Sequence, residues 1–205
     1  MDIGFVKKYL QKNLGFSDEK IDKISKYNNL LLIFNKKYNL ISKSTEKEVW
    51  SRHVLDSAQI IKYIDFEKDH ILSDFGSGAG LPGVILSIAN TNPNFHVKLY
   101  EKSEVKRNFL TDIQKITEFS IEKNVYDHEI IKSDYIVCRA FKKLDLIFEI
   151  SREKVKNPHK LIILKGKNAL NDLKKLPKDK NYRYKTVDSI TDRDSKIIIA
   201  TKNGK

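Results

Sequence analysis

Residues 74–83, with the sequence Asp-Phe-Gly-Ser-Gly-Ala-Gly-Leu-Pro-Gly, are the stretch whose residue types and spacing are most typical of a reactive site. Apolar residues on both sides predict a strand that runs into this stretch and a helix that leaves it. Four glycines in eight residues let a ligand approach the backbone closely. The free N–H groups at the start of the helix would face that ligand. The pattern predicts a turn that binds an adenosine cofactor.

Two cofactors compete for this glycine turn. Gly78, Gly80 and Gly83 formally match the dinucleotide pattern G-x-G-x-x-G, which is a weak signal by itself. Asp74, two residues ahead of Gly76, favours a cofactor that carries an ammonium group, which the carboxylate could help to hold directly or through water. A pyrophosphate would be repelled by the same charge. The turn therefore favours S-adenosylmethionine and leaves a nicotinamide dinucleotide open.

Glu101 is the second candidate for a cofactor contact. It ends the next predicted strand, about twenty residues beyond the turn, where an acidic side chain can accept both ribose hydroxyls. Both cofactors carry that ribose. Glu101 therefore predicts an adenosine site without choosing between the two cofactors.

The elements that must position these residues change in type near residue 70. Residues 2–64 show helical periodicity throughout. Strand-like and helix-length segments then alternate, which predicts a mostly parallel sheet with helices on both faces. The predicted strands are 71–75, 96–101, 120–125, 135–139, 160–165, 182–187 and 196–201. The predicted helices of this region are 83–90, 104–118, 144–156 and 168–176.

The predicted fold class is therefore α/β, with a Rossmann-like seven-stranded sheet over residues 67–205 and a helical N-terminal extension over residues 1–66. No helix separates the last two strands, so we expect them to pair antiparallel. In such sheets ligands bind at the carboxyl ends of the strands, where the strand order reverses. The glycine turn is at the correct end.

Composition limits the remaining possibilities. The formal net charge of +12 has two possible explanations. It reflects either a nucleic-acid-binding surface or the lysine-rich composition that an AT-rich genome produces. No apolar run is long enough to span a membrane, and the one cysteine, Cys138, fits a reducing cytoplasm. The five histidines are scattered, so no metal site is predicted. We expect a cytoplasmic monomer that uses no metal.

The glycine turn also closely resembles the signature of the ribosomal RNA small subunit methyltransferase G family, which is also called glucose-inhibited division protein B. Further stretches that resemble the family follow in the expected order along the chain. They are Tyr38-Asn39-Leu40, Arg52-His53-x-x-Asp56-Ser57, Lys106-Arg107-x-Phe109-Leu110, Cys138-Arg139-Ala140 and Leu164-Lys165-Gly166. The resemblance covers essentially the whole chain.

The resemblance implies a class I S-adenosylmethionine-dependent methyltransferase that modifies N7 of a guanine in small-subunit (16S) ribosomal RNA. It implies that Gly76, Leu81 and Arg139 contact the cofactor. It also implies a pair of adenine-contacting residues after the third strand, which alignment of the preceding run places at His128 and Glu129.

The chemistry that the resemblance implies makes few demands on the protein. N7 of guanine has a free lone pair and no proton to lose, so we expect positioning and no general base. Arg139, at the end of the fourth predicted strand, could donate to the cofactor's carboxylate or to guanine O6. The alternative for Arg139 is a structural salt bridge with Asp56 or Asp74.

Basic residues near the predicted strand ends would meet the RNA. Arg52, His53 and Lys165 are the candidates that the resemblance favours, although Arg52 and His53 could instead pair with Asp56 along one helix face. Other cations fall near the same strand ends and would add to an RNA-binding surface. They are Lys102, Lys106, Arg107, Lys142, Lys143 and Lys167.

Three alternatives to an RNA guanine-N7 methyltransferase agree less well with the sequence. A nicotinamide-dependent oxidoreductase should carry a Tyr-x-x-x-Lys or histidine proton relay, which the sequence does not show. A non-catalytic RNA-binding protein of ribosome assembly should have a damaged glycine turn, and this turn is intact. Cys138 as a nucleophile for base methylation lacks the expected neighbours, so we predict a buried core residue there.

Overall fold

The computed structural model describes residues 1–176 and 180–202. The last three residues of the predicted 67–205 domain, and residues 177–179 within it, therefore lie outside the described part of the chain. Seven strands and seven α-helices position the site within the described ranges.

Two capped helices open the chain. Helix α1 (Ile3–Leu14) begins at Asp2, whose carboxylate accepts a hydrogen bond from the Phe5 N–H at 2.9 Å, and it ends at Gly15. Helix α2 (Asp18–Tyr38) begins at Ser17 and ends at Asn39, which adopts a left-handed conformation with φ of 48°.

The prediction that residues 2–64 are helical throughout is wrong in detail. Residues 39–42 leave the helix, and a 3₁₀ helix (Lys43–Glu48) leads into a π-helical turn (Val49–Leu55). Helix α3 (Asp56–Ala58) and a second 3₁₀ turn (Ile61–Tyr63) complete the segment. Periodicity detected the apolar face of the segment, but it could not detect the change in residues per turn that the π-helical geometry introduces.

The seven-stranded sheet is confirmed. Its strands are β1 (Ile71–Phe75), β2 (His96–Tyr100), β3 (Ser120–Glu122), β4 (Tyr135–Arg139), β5 (His159–Lys165), β6 (Tyr182–Asp188) and β7 (Lys196–Lys202). Their order across the sheet is β3-β2-β1-β4-β5-β7-β6. The strand β7 lies antiparallel between β5 and β6, and the other pairings are parallel. The predicted antiparallel pairing of the last two strands is therefore correct.

The crossover helices are each shorter than predicted. They are α4 (Gly83–Ala89), α5 (Glu104–Ile113), α6 (Leu144–Lys154) and α7 (Ala169–Lys174). Beyond the end of α5, the Gln114 side chain donates a hydrogen bond to the Phe119 carbonyl at 2.7 Å in the segment that leads to β3.

Two buried clusters cover the two faces of the sheet. One includes Leu31 of α2, Leu86 of α4 and Phe109 of α5, and the other includes Phe148 of α6 and Leu173 of α7. The N-terminal helices thus share a core with α4 and α5. A division into an extension of residues 1–66 and a domain of residues 67–205 stays a prediction.

One hydrogen bond connects the N-terminal helices to the glycine turn: the Tyr27 hydroxyl of α2 donates to the Ala79 carbonyl at 2.8 Å.

Cys138 in β4 is fully buried, as predicted for a core residue, and that burial raises the pKa of its thiol. The strand order reverses between β1 and β4, so their carboxyl ends open a crevice beside the turn.

Candidate active site

The glycine turn leaves β1 in left-handed backbone conformations. Gly76, Gly78 and Gly80 have φ values of 74°, 59° and 90°, which L side chains rarely adopt. The N–H groups of Gly76 and Ser77 donate to the Tyr100 carbonyl at 2.9 and 3.1 Å. The turn is therefore fixed against the end of β2.

The three glycines meet different surroundings. A Cβ atom on Gly76 would lie 2.1 Å from the Phe141 ring, and one on Gly80 would lie 2.4 Å from Val84 Cγ2. A Cβ on Gly78 would meet no atom closer than the Gly76 carbonyl at 3.9 Å. Gly76 and Gly80 permit close packing, whereas Gly78 faces open space that a ligand can use.

Asp74 lies beneath the turn. It is fully buried, its Oδ2 accepts a hydrogen bond from the Gly83 N–H at 2.9 Å, and its Oδ1 has no partner within the described ranges. Burial raises the pKa of this carboxyl group to about 7. Asp74 does not line the cavity described below, so the geometry favours support of the turn over direct contact with an ammonium group.

Glu101 faces the turn from β2. Its Oε2 accepts from the Gly78 N–H and its Oε1 accepts from the Ser103 N–H, both at 2.8 Å. The side chain is nearly buried and lines the cavity. Each carboxylate oxygen has a second lone pair, so Glu101 can still accept hydrogen bonds from a ligand.

The cofactor cavity, as we call it, has a volume of about 440 Å³. Its floor comes from the turn and includes Gly76, Gly78 and Leu81. The rest of its lining comes from the loop before the 3₁₀ helix, from His53, and from the segments that follow β2, β3 and β4. Those residues are Leu40, Ile41, His53, Tyr100, Glu101, Lys102, Lys106, Asn124, Val125, Tyr126, Arg139, Ala140, Phe141 and Lys142.

The predicted adenine-contacting pair lies outside that lining. His128 packs edge-on against Tyr100 at 5.2 Å between ring centroids, and Glu129 is exposed. Residues 124–126 line the cavity in their place. The strand β3 ends at Glu122, three residues earlier than predicted, and Asn124 then caps a 3₁₀ turn. An Asn after a short strand is the signal that could have located this turn.

A second cavity, here called the acceptor cavity, has a volume of about 360 Å³. Residues from the π-helical turn, the end of β5 and the β6–β7 loop line it, including Arg52, Lys165 and Thr191. It shares His53, Arg139, Ala140, Phe141 and Lys142 with the cofactor cavity. These five residues border both cavities, and we call them the partition.

Arg139 is held firmly within the partition. Its Nε lies 3.1 Å from Asp56 Oδ2, and its Nη2 donates to the Arg52 carbonyl and to His53 Nδ1, both at 2.9 Å. Of the two salt-bridge partners considered from sequence, Asp56 is the one observed. Arg139 thus joins β4 to the π-helical turn while it lines both cavities.

His53 is neutral in this arrangement. Burial, followed by the charges of Arg139 and Arg52, lowers the pKa of its imidazole to about 4. Its Nε2 lies 2.8 Å from Thr45 Oγ1. Arg52 lies 3.8 Å from Asp192, so the helix-internal pairing of Arg52 with Asp56 does not form.

The remaining predicted cations fall into two groups. Lys165 lines the acceptor cavity and pairs with Asp172 at 3.0 Å, while Lys102, Lys106 and Lys142 line the cofactor cavity. Arg107 instead donates to the carbonyls of Glu101 and Lys102 at 2.9 and 2.7 Å, which fixes the loop after β2.

Two searches of the described residues gave negative results. Within residues 1–176 and 180–202, no group of three or more His, Cys, Asp or Glu side chains is arranged to bind a metal ion. No helix in those ranges combines the length and the apolar character needed to cross a bilayer.

The cofactor cavity fits S-adenosylmethionine. Gly78 leaves open space beside the turn, and Glu101 presents a carboxylate where a ribose would lie. A second negative group, such as a pyrophosphate, would be disfavoured there. The sheet order with its antiparallel β7, together with this turn, defines a class I S-adenosylmethionine-dependent methyltransferase.

Solved structures share this fold. An S-adenosylmethionine-dependent methyltransferase from Aquifex aeolicus matches 80% of this chain and 100% of its own, with a TM-score of 0.56 and 14% identity. Fibrillarin from Aeropyrum pernix, solved with natively bound S-adenosylmethionine, matches 73% of this chain and 75% of its own, with a TM-score of 0.56 and 16% identity.

The chain belongs to the rRNA small subunit methyltransferase G family, also called GidB, whose pattern it matches over residues 20–198. A relative named ribosomal RNA small subunit methyltransferase G, from Pelagibacter ubique, is 33% identical over 196 residues, covering 92% of each chain. The Rickettsia typhi relative of the same name is 38% identical over 182 residues, covering 88% of this chain and 93% of its own.

Proposed function

We propose that this chain transfers a methyl group from S-adenosylmethionine to N7 of a guanine in small-subunit (16S) ribosomal RNA. The family supports the substrate class, and the relatives carry that substrate in their names. The observation that carries the proposal is the pair of cavities on either side of one partition. Because the two cavities share five lining residues, a donor in one and an acceptor in the other would lie side by side, as in-line methyl transfer requires.

The cofactor cavity would hold the methyl donor through its turn and strand ends. Gly76, Gly78 and Leu81 line the site, Gly80 lets the turn pack closely against Val84, and Glu101 accepts hydrogen bonds from the ribose. When bound, S-adenosylmethionine supplies an activated methyl group that the guanine N7 lone pair takes up by in-line displacement.

The adenine would lie against residues 124–126, which replace His128 and Glu129 in that role. Val125 is buried and can pack against a base, whereas Tyr126 is half exposed and presents a ring at the cavity edge. His128 then supports the site indirectly through its contact with Tyr100.

The acceptor cavity would hold the guanine and its neighbouring phosphates. Cations surround it on several sides, and phosphate contacts position a nucleic acid without reading its sequence. They are Arg52, Lys142, Lys165 and Lys196. A guanine turned out of its stack can then reach the partition from this side.

The partition favours a ring nitrogen over an exocyclic amine as acceptor. Among the described residues that line the acceptor cavity, the carboxylates are Asp56 and Asp192, and arginine side chains pair with both. The neutral His53 uses both ring nitrogens within the protein. N7 needs no base because it has no proton to lose, so these engaged groups suit it.

The proposal extends to the setting in which the enzyme acts. We infer a cytoplasmic monomer that uses no metal, because ribosomal RNA is the substrate and the two cavities are formed by one chain. Residues 1–66 would act as an extension that contributes Arg52 and His53 to the site built by residues 67–205.

Methylation of RNA by the purified protein tests the proposal. Small-subunit RNA and small ribosomal subunits, both from cells that lack the gene, are incubated with isotopically labelled S-adenosylmethionine and mapped by mass spectrometry. We expect one 7-methylguanosine in the RNA. Label on a cytosine, an adenine or an exocyclic amine would contradict the N7 assignment, and no label in either substrate would contradict the substrate class.

A further inference from the structure

We propose that His53 is a positioning residue, which holds the Arg139 guanidinium in the partition so that one edge of it stays available to ligands. The inference rests on the proposed function only in taking the two cavities as donor and acceptor sites. The family resemblance implies an RNA contact for His53, and in the structure both of its ring nitrogens have partners within the protein.

Arg139 is anchored along one side. An arginine side chain has five N–H groups. Three are engaged, by Asp56, by the Arg52 carbonyl and by His53 Nδ1. The two N–H groups of Nη1 have no partner within residues 1–176 and 180–202. Because Arg139 lines both cavities, this free edge can donate to the donor's carboxylate or to guanine O6.

The tautomer of His53 follows from its contacts. Nδ1 accepts from Arg139, so the proton must lie on Nε2, which donates to Thr45 Oγ1 at 2.8 Å. The Thr45 hydroxyl in turn donates to the Ser42 carbonyl at 2.8 Å. This series of hydrogen bonds fixes the imidazole with an acceptor nitrogen toward Arg139.

The neutral His53 imidazole suits Arg139 as a hydrogen-bond acceptor because Arg139 must keep its positive charge to bind a ligand. The imidazole orients the guanidinium without cancelling its charge, whereas a second carboxylate would cancel it. The one carboxylate present, Asp56, also accepts from Gln59 Nε2 at 2.9 Å and from Thr191 Oγ1 at 2.8 Å. Arg139 therefore keeps positive character at its free edge.

Two nearly isosteric substitutions of His53 distinguish its hydrogen bond to Arg139 from simple packing of its ring. In His53→Asn the amide oxygen can take the place of Nδ1 and accept from Arg139, while the contact with Thr45 is lost. In His53→Gln the longer amide reaches Thr45, but no acceptor remains at the position of Nδ1. His53→Ala removes both contacts.

The measurements are the dissociation constant for S-adenosylmethionine, kcat and KM for RNA methylation, and Tm. We expect His53→Asn to stay within about threefold of the native protein, and His53→Gln to lose about tenfold in affinity, kcat or both, as His53→Ala does. The Tm values of the Asn and Gln variants should be alike. Nitrogen NMR should show Arg139 Nη2 protected in the native and Asn proteins and unprotected in the Gln variant.

Several outcomes would overturn the inference. Equal losses in the Asn and Gln variants at equal Tm would mean that His53 acts by shape or by touching RNA. A normal Gln variant beside a weak Asn variant would assign the role to Thr45. Native activity in all three variants would make His53 dispensable. If the native protein methylated no RNA, the proposed function would fail, yet cofactor binding and the NMR signal would still decide the role of His53.

Discussion

The two cavities are built in different ways. The cofactor cavity takes most of its lining from segments that directly follow β1, β2 and β3 in the chain. The acceptor cavity is assembled from distant segments, and the hydrogen bond between Asp56 and Thr191 joins residues 135 positions apart. The first site is therefore local in sequence and recognisable as a motif, whereas the second exists only after the fold is complete.

A matched pair of glycine variants offers the sharpest test of that difference. Gly78 faces open space in the cofactor cavity, and Gly166 faces open space in the acceptor cavity. Gly78→Asp places a carboxylate beside Glu101 and strains the backbone, whose φ is 59° at this position, so we expect affinity for S-adenosylmethionine to fall about 100-fold or more without unfolding. Gly166→Asp should leave that affinity within about twofold and should lower RNA methylation about tenfold. Isothermal titration and methylation assays measure the two effects.

Loss of cofactor affinity in both glycine variants would break the comparison, because it would show that the two cavities do not act independently. Methylation that persisted in Gly78→Asp would show that the cofactor site was assigned to the wrong turn. Circular dichroism of both variants excludes unfolding as the cause.

Lys165→Ala removes a positive charge from the acceptor cavity alone and so distinguishes RNA binding from cofactor binding. Lys165 lines the acceptor cavity and not the cofactor cavity, so its loss should raise KM for RNA about tenfold, because a charge-assisted contact contributes about 1.5 kcal/mol. Lys174→Ala on the exposed face of α7 is the control and should change KM little. Weaker binding of S-adenosylmethionine by the Lys165 variant would argue against the assignment.

Tyr126→Ala tests the adenine site proposed at residues 124–126. Its ring lies at the edge of the cofactor cavity, and removing it should weaken S-adenosylmethionine binding about fivefold, equivalent to about 1 kcal/mol of ring contact. His128→Ala, two residues further along, should change affinity less than about twofold. The reverse ranking in a titration would restore the adenine contacts to His128.

Asp74→Asn tests whether ionisation of the buried Asp74 carboxyl group destabilises the folded protein. Burial raises the pKa of Asp74 in the folded protein from 3.8 to about 7, so the folded state binds the proton more tightly than the unfolded chain does. The contribution of Asp74 to stability is full below pH 4 and is lost as the pH rises toward 7. The variant should therefore gain stability over the native protein between pH 4 and 7, by about 1 kcal/mol per pH unit.

Urea denaturation at several pH values measures that gain. Asp188→Asn, which changes an exposed carboxylate paired with Lys196, is the control for removal of a surface charge. A difference for Asp74→Asn that stays constant with pH would mean that the carboxylate is not held protonated by its surroundings.

Much of the fold was accessible from the sequence because local patterns determine it. Strand and helix periods gave the seven strands, and the glycine turn, Glu101, Arg139 and Lys165 all lie at predicted strand ends. Position at a strand end sufficed because the carboxyl ends of parallel strands meet at one edge of the sheet.

The errors arose where tertiary contacts override local patterns. The π-helical turn moves Arg52 and Asp56 toward different partners, Asp192 and Arg139, which no helical period could indicate. The early end of β3 brings residues 124–126, rather than His128 and Glu129, to the lining of the cofactor cavity. The two side-chain partners of His53, Thr45 and Arg139, come from separate segments of the chain, so the proposed role of His53 in orienting Arg139 could be inferred only from the fold.

The position of β7 has a consequence for synthesis of the protein. It is the last strand of the sheet in chain order, yet it lies between β5 and β6. A chain leaving the ribosome can therefore complete β1 to β4 and the glycine turn while β5 still has an unpaired edge. A product that stopped before Lys196 would keep the donor's turn, lose the wall that Lys196 and Ile197 give the acceptor cavity, and expose the apolar edge of β5 to aggregation.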